Sequence, residues 1–175
     1  MTSHPPSLTL AAAAAAFALA GCGQQAAKPA EAPAEVPAAP AAAPAPVAVA
    51  PAVDQAALKG LLSPDETLEV LSLDASGAAS ASGEVKGYKT TVYAVPVAQG
   101  QTLSVTFEPS NTNLYMNVVD AADTSGAAAH RGEVDGPNAS VTAPKAGVYL
   151  IKPFQPRATA RRGESGTFKL AVAVK

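Results

Sequence analysis

The stretch TFKLAVAVK, Thr167–Lys175, places Phe168, Leu170, Val172 and Val174 at every second position, with Lys169, Ala171 and Ala173 between them. Successive side chains of an extended chain point to opposite faces, so this spacing predicts a strand with one buried face. QTLSVTF, Gln101–Phe107, repeats the pattern with Leu103, Val105 and Phe107 alternating with Thr102, Ser104 and Thr106. Similar segments fall at Leu68–Leu73, Ala79–Val85, Tyr88–Val97, Asn113–Val119, Ala139–Ala143 and Gly147–Phe154. Turn-forming clusters separate them: Ala98-Gln99-Gly100, Pro109-Ser110-Asn111, Asp135-Gly136-Pro137-Asn138 and Lys145-Ala146-Gly147. Many short strands with turn-rich joints predict an all-β fold, an antiparallel β-sandwich. Before them, Asp54–Leu62 (DQAALKGLL) reads as a short helix stopped by Ser63-Pro64.

The charge content narrows the function classes. The chain of 175 residues has a formal net charge of -2, so no global basic field recruits nucleic acid. A single cysteine excludes an internal disulfide, and with two histidines it leaves no Cys/His zinc cluster. No paired carboxylates and no nucleophile–base spacing stand out, so the reading is a protein that is not an enzyme and needs no cofactor. Asp120, Asp123, Glu133 and Asp135 flank a glycine-containing loop but match no EF-hand spacing; they read as a solvated acidic loop, with calcium as the alternative. His130 reads as a surface histidine. Charge does concentrate in QPRATARRGESG, Gln155–Gly166, where Arg157, Arg161 and Arg162 follow Lys152 closely.

The N-terminus accounts for the cysteine. Leu8–Ala20 is an apolar run of about 13 residues, where a membrane-spanning helix needs about 20. It ends in Leu19-Ala20-Gly21-Cys22 and resembles a bacterial lipoprotein signal with its lipobox, although Met1–Ser7 carries no Lys or Arg. The resemblance implies that residues 1–21 are a removed signal peptide and that Cys22 is the lipidation site, receiving diacylglycerol and palmitate. Gly23, in place of the Asp that retains lipoproteins in the inner membrane, implies the outer membrane of a Gram-negative cell, with the protein facing the periplasm. Residues 22–53 then form a tether of Ala, Pro and Val, whose prolines remove donors and favour an extended polyproline-like spacer. At ~3.1 Å per residue, about thirty such residues reach on the order of 90 Å. Residues 54–175 remain for the sandwich domain.

A series of features from Gly87 onward resembles one family: Gly87-Tyr88, Val92-Tyr93, Gly100-Gln101, Asn113-Leu114-Tyr115, Ala146-Gly147-Val148-Tyr149, Arg157-Ala158-Thr159-Ala160-Arg161 and Phe168-Lys169-Leu170. In this order they are similar to the periplasmic inhibitors of g-type lysozyme, small β-sandwich proteins. The glycines and aromatics also fit pre-peptidase C-terminal domains, which imply a sandwich that binds glycan or another envelope protein. The Arg-x-x-x-Arg segment is the more specific feature. Pro153 and Thr90 depart from the family pattern, which has a strand residue such as Val and a second tyrosine at those places.

The inhibitor resemblance implies a g-type lysozyme as partner, with Arg157 and Arg161 on a loop that enters its acidic substrate cleft. Guanidinium suits that role, because it is permanently charged and forks onto a carboxylate through two parallel N–H···O bonds. The alternative is a solvated connection with surface ion pairs of about 0–1 kcal/mol, for which Glu164 is a nearby partner. Arg162 reads as such a surface residue. Tyr88, Tyr93, Tyr115 and Tyr149 all fit core aromatics whose hydroxyls reach the edge; Tyr88 and Tyr115 are the two candidates for lining a binding face.

Overall fold

A computed structural model describes residues 49–175. The lipobox, Cys22 and residues 22–48 of the tether lie outside the described residues. Among the described residues the first element is a short helix, α1 (Gln55–Lys59), followed by β1 (Glu66–Val70), β2 (Ala78–Lys86), β3 (Thr90–Val97), β4 (Thr102–Pro109) and β5 (Tyr115–Asp120). A two-residue strand β6 (His130–Arg131), a helical turn α2 (Gly132–Asp135), β7 (Asn138–Thr142) and β8 (Gly147–Phe154) follow. A second short helix, α3 (Arg157–Arg161), leads into β9 (Ser165–Val174).

Two sheets form the sandwich, one ordered β1-β3-β8-β5-β6 and the other β2-β9-β4-β7. The alternating segments behave as their spacing requires. In β4 and β9 the pairs Leu103↔Val174, Val105↔Val172 and Phe107↔Leu170 lie opposite each other, and all six side chains are buried. Tyr93, Val95 and Val97 of β3, Met116 and Val118 of β5, and Tyr149 and Ile151 of β8 close the core from the other sheet. Phe168 sits at the centre of the aromatic contacts, edge-on to Tyr93 at 6.1 Å and tilted against Phe107 at 5.2 Å.

The sandwich is antiparallel with one exception: edge strand β1 runs parallel to β3. Between them the chain crosses to the other sheet as β2 and turns back, and two reversals restore the original direction. Strand β3 is buried almost continuously instead of alternating. Its inward residues fill the core, while Val92 and Ala94 pack outward, with Leu150, against Leu58 of α1. Helix α1 thus covers the outer face of this sheet. Asp54 caps it, its Oδ1 accepting from the amides of Ala56 and Ala57 at 3.0 and 3.1 Å.

Two sequence expectations change. His130 is buried, not at the surface: Nε2 lies 2.8 Å from the Gly136 carbonyl oxygen, which makes that nitrogen the protonated one. The ring fastens β6 to the turn after α2, and a lone polar residue after three alanines gives no periodic sign of burial. The arginine segment, read as a loop, is the helix α3. The acidic residues Asp120, Asp123 and Asp135 are used locally, accepting from the amides of Ala122, Ser125 and Arg131. The Ser125 hydroxyl and amide hold the Asp123 carboxyl below the usual aspartate range. Among the described residues no group of three His, Cys, Asp or Glu side chains converges to hold a metal ion, and no helix is long and apolar enough to cross a membrane.

Two outcomes follow from this packing. Phe168→Ala removes the ring that joins both sheets and should cost about 3–5 kcal/mol, read as a fall in the urea midpoint at constant slope. Burial pushes the phenols of Tyr93 and Tyr149 above the ordinary value of 10.0, with the charges of Glu69 and Asp120 adding to the shift. The unfolded chain therefore loses these protons first. Their contribution to stability is complete below about pH 10 and is lost as pH rises through the raised values. Tyr93→Phe should flatten that alkaline slope in a denaturation series.

Candidate functional site

Helix α3 is cut from the chain by its ends. Pro156, with φ -53°, stands at the N-cap, and Gly163, with φ 71°, follows the C-cap residue Arg162. A left-handed glycine one place beyond the last helical turn lets the chain leave without a Cβ clash. The amides of Arg162 and Gly163 close the end on the carbonyls of Thr159 and Ala160 at 3.1 and 2.9 Å. Thr159 and Ala160 are buried, whereas Arg157 and Arg161 are exposed. Residues four apart share a helix face, so the two guanidinium groups are presented side by side. Among the described residues neither arginine has a carboxylate within ion-pair distance. Glu164 is engaged by Arg162 instead, at 2.5 Å from its Nε, and Lys152 is paired with Glu66 at 3.1 Å.

The turn between β2 and β3 holds this helix in place. Lys86 and Lys89 exchange both backbone hydrogen bonds at 3.0 Å, leaving Gly87 and Tyr88 as a two-residue hairpin tip. Gly87 has φ 59°, the left-handed value that such tips require at their first central residue. Its amide donates to the Glu164 carbonyl at 2.9 Å, and a Cβ there would meet the Ala160 carbonyl oxygen at 3.1 Å. Only a backbone this bare comes so close to α3. Tyr88 is consequently set beside the arginine helix, and at 51% exposure it is not a core aromatic.

Between Tyr88 and the end of β8 lies a cleft of about 200 Å³, lined by Glu66, Gly87, Tyr88, Thr90, Phe154 and Gln155 among others. Thr90, one of the two departures from the family pattern, is buried at the start of β3. Pro153, the other, is buried in β8 beyond the last pair of the β3 ladder, Tyr93↔Ile151, where its missing N–H breaks no bond to β3. Tyr115 does not line the cleft; it is half-buried, its ring 5.9 Å from that of Phe154, which does. The fold therefore brings Arg157, Arg161 and Tyr88 to one end, with Tyr115 connected through Phe154.

Gln155 was not singled out by the sequence. It precedes Pro156 and is 6% exposed, and both its Oε1 and its Nε2 are buried without a hydrogen-bond partner among the described residues. Each such orphan polar group costs about 1–3 kcal/mol. Nothing in the local sequence signals this, since a glutamine between an aromatic and a proline fits a surface joint equally well.

No protein-family model and no curated protein matches the chain. Solved structures do. The periplasmic inhibitor of g-type lysozyme PliG from Aeromonas hydrophila is 32% identical, with 63% of this chain and 98% of that chain covered and a TM-score of 0.57. PliG from Salmonella Typhimurium is 22% identical over 62% of this chain and 98% of its own, with a TM-score of 0.47. A pre-peptidase C-terminal domain of a Bacillus anthracis collagenase is 18% identical over 63% of this chain and 94% of its own, with a TM-score of 0.45. The Aeromonas protein is matched along nearly its whole length by the sandwich described above, and on that ground this chain belongs to the PliG family of periplasmic inhibitors of g-type lysozyme.

Proposed function

We propose that the protein binds and inhibits a g-type lysozyme, with Arg157 and Arg161 inserted into the enzyme's acidic substrate cleft and Tyr88 and Tyr115 at the margin of the contact. The observation that carries this reading is the pair of exposed guanidinium groups on one face of α3, free of internal carboxylate partners among the described residues. Glycosidase sites rely on carboxyl groups that protonate the leaving oxygen or activate water. Two guanidinium forks placed on them exclude substrate and fix their charge. Breaking one desolvated pair of this kind typically costs about 2–5 kcal/mol, part of it from the stranded carboxylate.

Presentation on a short helix favours binding in a further way. A flexible arginine loop loses conformational freedom when it docks, whereas α3 is already held by its glycine C-terminus and by the Gly87 turn. The rest of the assignment concerns placement in the cell. Residues 1–21 act as a lipoprotein signal, Cys22 carries the acyl chains, residues 22–53 act as a tether, and residues 54–175 form the inhibitory domain at the periplasmic face of the outer membrane. Each buried CH₂ of an acyl chain contributes about 0.8 kcal/mol, so a multiply acylated Cys22 holds the domain on the membrane.

Arg157→Ala and Arg161→Ala should each weaken inhibition of g-type lysozyme by about tenfold or more, roughly 1.4 kcal/mol, with little change in melting temperature. Arg→Lys should recover only part of the loss, and Arg162→Ala should matter little. A peptidoglycan turbidity assay with purified protein reads all of these. Full lysozyme activity at micromolar wild-type protein would exclude inhibition and favour an adhesive sandwich. Cys22→Ala should abolish incorporation of radioactive palmitate in cells; equal labelling would end the lipoprotein assignment.

A further inference from the structure

The unpartnered amide of Gln155 marks a contact that the arginines do not explain. The residue lies two places before Arg157 and lines the same cleft as Tyr88. Its backbone is fixed by the end of β8 and by Pro156, yet among the described residues its side-chain amide has no hydrogen-bond partner, so it ties neither element in place. A glutamine kept in this state is tolerated at the expense of stability, a pattern found where a residue serves binding and not folding.

We infer that Gln155 pairs with a peptide-type amide that the lysozyme inserts into this cleft when Arg157 and Arg161 dock; the inference rests on the inhibitor reading. The chemistry selects the ligand class. Gln155 has both an acceptor, Oε1, and donors on Nε2 to satisfy. A carboxylate answers only the donors and a guanidinium only the acceptor. A backbone or side-chain amide answers both in one plane. The cleft, about 200 Å³, is several times the ≈ 30 Å³ of a liquid water molecule, enough for an amide and its flanking carbons. A change of rotamer at χ1 and χ2 turns the amide toward the cleft without movement of the backbone, and the broad terminal torsion then sets its plane. A partner that engages Tyr88 meets the cleft directly, because Tyr88 and Gln155 line it together.

The test compares wild type, Gln155→Met and Arg157→Ala as full mature chains, for melting temperature and for binding and inhibition of g-type lysozyme. Methionine keeps the length of the side chain and removes both orphan polar ends. Gln155→Met is expected to melt at or above the wild-type temperature while binding lysozyme at least tenfold more weakly, mainly through faster dissociation. Wild-type binding by this variant overturns the inference, as does a melting temperature several degrees lower, which would mean that the amide already serves the fold. In case the variant misfolds, the Gln155 side-chain amide resonance of ¹⁵N-labelled wild type decides: it must shift on adding lysozyme, and an unmoved signal overturns the inference. The same shift with N-acetylglucosamine oligomers alone would reassign the cleft to wall glycans and overturn it equally. Lack of any wild-type inhibition would sink the inhibitor reading and this inference together, whereas an intact Arg157 effect beside a silent Gln155→Met would sink this one alone.

Discussion

The register between β4 and β9 is the constraint on which the rest depends. Leu103, Val105 and Phe107 face Val174, Val172 and Leu170, so a slip of one residue would turn every apolar side chain in either strand to solvent. With that pairing fixed, Phe168 lies under Tyr93 and Phe107 and joins the two sheets. The same strand, β9, begins immediately after the arginine helix. The alignment of the core therefore also determines where α3 is anchored.

Close backbone approach then converts this alignment into a surface. Gly87 hydrogen-bonds to Glu164 and comes against Ala160, which draws the β2–β3 tip onto α3. Residues far apart in sequence are locked together by main-chain contacts and by the buried Thr159 and Ala160, while Arg157 and Arg161 remain outward. This division of roles explains how the arginines stay exposed on a short helix that has too few residues to be stable alone.

What the sequence made legible follows the reach of local rules. Strands β4, β8 and β9 were readable because each buries one face or is bounded by strong turn residues. The parallel pairing of β1 was not, since it arises from a crossover between sheets and leaves no periodic trace. Strand β6 is two residues long and exists because β5 offers Asn117 and Val118 as partners. Helix α3 carried signals that outweigh its loop-like polarity: proline at its start, alanines inside it and glycine past its end. Of the proposed contact, Arg157 and Arg161 are suggested by family resemblance alone, while the structure exposes Tyr88 and leaves Tyr115 half-buried. Gln155 escaped because an unpaired buried amide is a property of its surroundings and not of its neighbours in sequence.

The position of α1 has a mechanical consequence. Any pull transmitted along the chain before Val49 reaches the domain through this helix, whose Leu58 is seated on Val92, Ala94 and Leu150. The load then falls first on β3 and β8, the two paired strands that carry these contacts. The arginine helix is held at different points, by the end of β8, the start of β9 and the β2–β3 tip, and none of the backbone hydrogen bonds among the described residues that fix it involves α1.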